Sequence, residues 1–88
     1  NILMMANHGV LIGASSVARA YDEIYYLERT AAAQILAMST GRPLKLIPEE
    51  VCKETARQMM SDNMHRFAND HFNALKRVLD REQPDYKD

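Results

Sequence analysis

ANHGVLIGASS, residues 6–16, decides how the chain begins to fold. It follows the apolar run Ile2 to Met5 and contains a second one, Val10 to Ile12. Between them lies Asn7-His8-Gly9. Asparagine and glycine both tolerate the positive φ of tight turns, so the spacing predicts a β-hairpin with His8 at its apex. The runs are continuous rather than alternating, which implies strands covered on both faces. Two strands alone cannot supply that cover, because an isolated hairpin is marginal. A polar imidazole at such an apex has two readings. It is a turn residue, or it is a metal ligand carried on rigid backbone at a strand end.

Working outward, Ser15 and Ser16 offer an N-cap, since a serine hydroxyl accepts from the free amides of a first helical turn. Val17, Tyr21, Ile24, Leu27, Ala31, Ile35 and Met38 then recur at steps of three or four, one apolar stripe on a long helix. Gly41 suits the C′ position and Pro43 prevents continuation, giving a rod of about 37 Å. RPLKLIPEE (residues 42–50) is an extended connector. Pro48 fits the first turn of a second helix, where Glu49 and Glu50 complement the dipole. That helix carries Val51, Cys52, Ala56, Met59 and Met60 on its apolar side, with Cys52 read as a small buried hydrophobe. The pattern weakens at Ser61-Asp62-Asn63. A third helix follows from about Met64 to Arg81, burying Phe67, Ala68, Phe72, Leu75 and Leu79, and DYKD (residues 85–88) reads as a frayed tail.

The totals bound what this arrangement can be. Eighty-eight residues, 47% of them hydrophobic, make one small domain near the size where a single core is marginal. Eleven basic residues against twelve acidic ones, scattered along the chain, give no electrostatic case for nucleic acid or an anionic membrane. No apolar run approaches the roughly 18–20 residues of a membrane span. Cys52 has no partner for an internal disulfide and fits a reducing, cytoplasmic compartment. The chain opens inside an apolar strand without an initiator methionine, as expected of part of a longer protein.

Few residues carry recognisable chemistry. Imidazole or thiolate ligands could come only from His8, His65, His71 and Cys52, and a zinc site wants three or four converging donors. His65 and His71, six residues apart on one helix, point about 240° from each other and cannot chelate together. They read as surface or helix-packing histidines. Tyr25 and Tyr26 flank the stripe as packing residues. Gly9 and Gly13 form no phosphate-binding fingerprint, and no nucleophile–histidine pair is apparent.

Taken together, NHGVLIGASSVARAYDEIYYLERTAAAQILA (residues 7–37) resembles the C-terminal part of the class II aldolase/adducin family. LKLIPEEVCKETARQM and HFNALKRVLDREQPDYKD resemble the tails of its bacterial adducin-like members, so the likeness runs over essentially all 88 residues. The resemblance implies a larger three-layer α/β/α sandwich around a mainly antiparallel sheet, with residues 1–88 as the C-terminal part of one domain. It implies a divalent metal, usually zinc, bound by three histidines: an H-x-H pair supplied upstream, and the histidine of the NHG turn, here His8. The catalytic acid would also lie upstream, so no catalytic residue is named within this chain. A small-molecule substrate and homotetrameric assembly are implied as well.

That ligand set suits cleavage of a carbon–carbon bond beside a carbonyl, where a Lewis acid stabilises the enediolate and an acid or base handles the proton. A histidine ligand usually gives its other ring nitrogen a second acceptor, and Glu28 on the long helix is the candidate, if it is not simply paired with Arg29 or solvent. Two readings therefore stand: a lyase of this family, or an adducin-like non-catalytic assembly or binding domain that need not hold metal.

Overall fold

The computed structural model describes residues 1–88, ordered as β1 (Ile2–Met5), β2 (Gly9–Ile12), α1 (Val17–Met38), α2 (Glu49–Met59), α3 (Asp62–Glu82) and a closing 3₁₀ turn (Pro84–Lys87). This is a small α/β unit in which β1 and β2 pair antiparallel, Ile2 opposite Ile12 and Met5 opposite Gly9. The second strand starts one residue earlier than expected, because Gly9 itself pairs. The hairpin bears apolar side chains on both faces. Met4 and Val10 look toward Ile24, Leu27 and Ala31 of α1, and Ile12 toward Val17 and Ala20. By alternation Leu3 and Leu11 stand on the opposite face, where both are more than half exposed.

Helix α1 is the hub. Ser16 caps it as expected, its hydroxyl accepting from the Arg19 amide at 3.1 Å. The chain leaves the helix through Ser39 and Thr40 into Gly41, whose φ of +69° is the left-handed conformation that favours glycine. Only the amino-terminal half of α1 is surrounded. Beyond Leu27 every residue is exposed, including Ile35, Leu36 and Met38.

Helix α3 lies against α1. Tyr21 shares an apolar groove with Leu79, whereas Tyr26 and Thr30 share a hollow with Met64. Small residues allow the approach: Ala18 and Ala68 are the buried apolar side chains. The one buried charged residue is Asp22, 4% exposed, whose Oδ1 lies 2.8 Å from His71 Nδ1. Tyr21 and Tyr25 meet His71 edge-on, and Tyr21 also meets Phe72. Phe72, Leu75 and Leu79 are half-buried in this interface, but Phe67 points away and is 59% exposed.

The second helix corrects the sequence reading. Pro48 stands just before it, as the N-cap residue, and its apolar stripe exists but nothing covers it. Val51, Met59 and Met60 are exposed, and so is Cys52, which is no buried hydrophobe. Short-range ion pairs hold the helix instead, Lys53 to Glu49 at 2.7 Å and a two-pronged Arg57 to Glu54 at 2.6 and 2.9 Å. Its last turn is tied to α1 by Arg19, whose Nη2 donates to the Met59 carbonyl at 3.0 Å.

The tail is also ordered rather than frayed. Pro84 opens a 3₁₀ turn that folds back on α3, where Tyr86 Oη donates to Asp80 at 2.8 Å and Lys87 Nζ to the same oxygen at 2.7 Å. Lys87 first, and Tyr86 next, hold the Asp80 carboxyl below its ordinary value. Asp80 in turn pushes both Tyr86 and Lys87 upward.

Surface and shape measure how little is enclosed. The accessible area is 7,778 Å², whereas a compact monomer of 10.1 kDa exposes about 5,300 Å². The radius of gyration is 16.3 Å against about 12 Å expected for this length.

Two predictions follow from the packing. Asp22→Ala leaves His71 Nδ1 without its acceptor and should cost about 1–3 kcal/mol in denaturant unfolding of the intact protein, with Asp22→Asn costing less. For the tail, a depressed carboxyl pKa stabilises above the unfolded value and is lost as pH falls through the folded one. The raised Tyr86 and Lys87 values work oppositely and release the turn only at alkaline pH. Amide protection at residues 85–88, taken relative to the intrinsic exchange rate, should therefore fall at both pH extremes, while Asp80→Asn should lower it at neutral pH.

Candidate functional site

His8 sits where the sequence reading expects it, in the three-residue turn between Met5 and Gly9. Its backbone amide closes the turn on the Met5 carbonyl at 3.2 Å. The neighbours supply the unusual torsions: Asn7 has φ +65° and Gly9 φ +123°. A side chain added at Gly9 would meet nothing within 4 Å, so glycine is required there by backbone conformation and not by crowding. Asparagine takes the left-handed region more readily than most residues, which is why this short loop can leave a histidine at its tip. The His8 side chain is exposed and no hydrogen bond reaches its ring.

Glu28 lies on the α1 face beneath the hairpin. It lines a hollow of about 340 Å³ with Met4, Val10, Ile24, Leu27 and Ala31. No ion pair engages it. Arg29, its alternative partner, turns the other way and stacks its guanidinium over the Tyr25 ring at 4.4 Å. No hydrogen bond joins Glu28 to His8.

The three histidines occupy three different settings. His65 is exposed at the rim of an open polar pocket with Ser15, Arg19 and Glu23. His71, read as a packing histidine, does pack, but it also binds the carboxylate of Asp22. Nowhere do three or more His, Cys, Asp or Glu side chains converge as a metal-binding group. His8 is thus a single free imidazole on a held turn, able to donate one ligand and no more from within this chain.

Asp22, Arg19 and Arg29 were not singled out by spacing. A signal for Asp22 existed: it sits beside Tyr21 and one turn before Tyr25 and Tyr26, a carboxylate among aromatic side chains, where burial calls for a partner. The partner, 49 residues away, could not be read from local pattern.

Comparison with known proteins bears on the family. The chain aligns over 87 residues, 99% of its length, at 32% identity with a protein of Caulobacter vibrioides named "Putative aldolase class 2 protein". A protein of Pseudomonas aeruginosa bearing the same description is 31% identical, again over 99% of the chain. The chain covers 34% and 35% of these proteins, about a third of the length of the curated relatives it matches. No family model and no solved structure matches the chain.

The turn geometry is open to test. Asn7→Val forces a β-branched residue into left-handed backbone and should destabilise the intact protein by about 1–2 kcal/mol. Asn7→Gly should stay within about half of that loss. Equal stability of the two variants in denaturant unfolding would contradict the assigned torsion.

Proposed function

The chain belongs to the class II aldolase family, and from that membership we propose that it forms the C-terminal part of a metal-dependent lyase. The substrate class is a small hydroxy-carbonyl compound of sugar-phosphate type, and the reaction is cleavage of a carbon–carbon bond. His8 is one of three histidine ligands to a divalent ion, zinc by preference, and the other two ligands and the catalytic acid come from residues outside these 88.

One observation carries the reading. His8 has a ring free of internal partners, on a turn whose backbone is fixed by Asn7, Gly9 and the 3.2 Å bond to Met5. Nothing in the hairpin requires an imidazole there, and a ligand needs just such a free ring on a held backbone. When bound, the ion supplies positive charge against the negative charge developing next to a carbonyl. The part of this chain is to hold one neutral ring in place. Glu28, unpaired on the helix face below the hairpin, is the candidate acceptor for the ring's other nitrogen.

The wider architecture proposed is the three-layer sandwich, with β1 and β2 as two strands of its sheet. In support, the hairpin is apolar on both faces, and neither strand contains a charge or proline to protect an open edge. The surface exceeds that of a compact monomer by about 2,500 Å², within the range of large permanent interfaces. Homotetrameric assembly belongs to the same proposal, and a cytoplasmic setting accords with the single unpaired cysteine. No helix is long and apolar enough to cross a membrane.

Metal analysis of the intact protein tests the reading. His8→Ala should weaken metal binding by at least about tenfold, the low end of what even an outer partner of a ligand is worth, and abolish lyase activity. Unchanged stoichiometry and affinity in His8→Ala would remove His8 from the ligand set.

A further inference from the structure

Helices α1 and α3 and the closing turn leave a groove between them. Phe72, Leu75 and Leu79 recur at steps of three and four, one stripe of α3, and are half-buried rather than enclosed. Tyr21 of α1 forms one wall, its ring meeting Phe72 edge-on with centroids 5.9 Å apart. Tyr86 of the closing turn forms another, and Val78 completes the apolar lining. The space is about 540 Å³, inside the roughly 300–1,000 Å³ of small-molecule sites. These side chains come from three elements and border one common cavity.

A single charged residue shares the lining. Lys76 stands one turn after Phe72 and just under one turn before Leu79, so it is carried on the same stripe. It forms no ion pair. Asp80, one turn further on, pairs with Lys87 and accepts from Tyr86, and no carboxylate borders the groove. The Asp80 contacts also fold the tail back, which brings Tyr86 to the groove. An apolar trough with one unmatched cation suits a ligand with an apolar body and an anionic head. A sugar or nucleotide suits it poorly, because the lining holds too few polar atoms to replace the water such a ligand would lose.

We propose that this groove binds a medium-chain aliphatic carboxylate. The hydrocarbon lies along Phe72, Leu75, Val78 and Leu79 between the two tyrosines, and the carboxylate pairs with the Lys76 ammonium. His8 lines no part of the groove, so the site is independent of the proposed metal ligand.

The experiment titrates the intact protein, carbon-13 labelled at leucine and valine methyls, with hexanoate, octanoate and octanol. Leu75, Val78 and Leu79 should show saturable shifts, and each added methylene should tighten binding by up to about fourfold. Octanoate should bind about two- to fivefold more tightly than octanol, the range of an exposed ion pair. Lys76→Gln, a surface change, should erase that difference and leave octanol binding as it was. Tyr86→Ala should weaken both ligands. Leu46, 83% exposed on the connector, should not shift with the same midpoint. Three results would overturn the proposal. One is the absence of saturable shifts at the groove methyls, as when an upstream segment or a second copy fills the space. Another is equal affinity for octanoate and octanol in the unaltered protein. The third is a matching shift at Leu46, the mark of unspecific adsorption.

Discussion

A buried carboxylate governs how the helices meet. Asp22 is enclosed between α1 and α3 and receives one hydrogen bond, from His71. An unpaired charge there would be costly, so the relative rotation of the two helices is limited to positions that keep the contact. Alanines at 18 and 68 bring the backbones close enough to make it, and the rings of Tyr21, Tyr25 and Phe72 close around it. A hydrophobic pair at these positions would hold the helices together with less regard to register. The polar pair, by contrast, specifies one alignment.

Much of this was legible in the residues. The hairpin followed from Asn7-His8-Gly9 between apolar runs, and α1 from a serine cap and a stripe at helical spacing. Both depend on neighbours within a few positions, where torsional preference and periodicity act. The Asp22–His71 contact was not legible, since it joins elements 49 residues apart and neither partner announces the other. The tail departs from its sequence pattern for a related reason. DYKD is polar and terminal, yet Asp80 six and seven residues earlier gathers both Tyr86 and Lys87. Helix α2 shows the converse: its stripe suggests burial, but amphipathic spacing states only which side an element could bury.

The candidate site was legible in one residue and silent elsewhere. His8 stands out because an imidazole is unnecessary to a turn, and the proposed metal site would give that oddity a purpose. Its surroundings within the chain are sparse: Glu28 across a small hollow, apolar strands on either hand, and no second imidazole nearby. The turn that carries His8 has little backbone freedom, through positive φ at Asn7 and Gly9. The same residues that make the hairpin foldable thus determine where the ring is carried.

Arg19 gives the middle of the chain an unusual mechanical character. Its guanidinium bonds Glu23 on its own helix and the Met59 carbonyl at the far end of α2. Between Gly41 and that carbonyl, no residue is buried. The connector and α2 thus resemble a span held covalently at both ends, by α1 and by the short junction to α3, with the Arg19 side chain as a tie across to α1. A displacement of α2 is thus shared between α3 and, through Arg19, the first turn of α1, beside the loop that leads back to the hairpin.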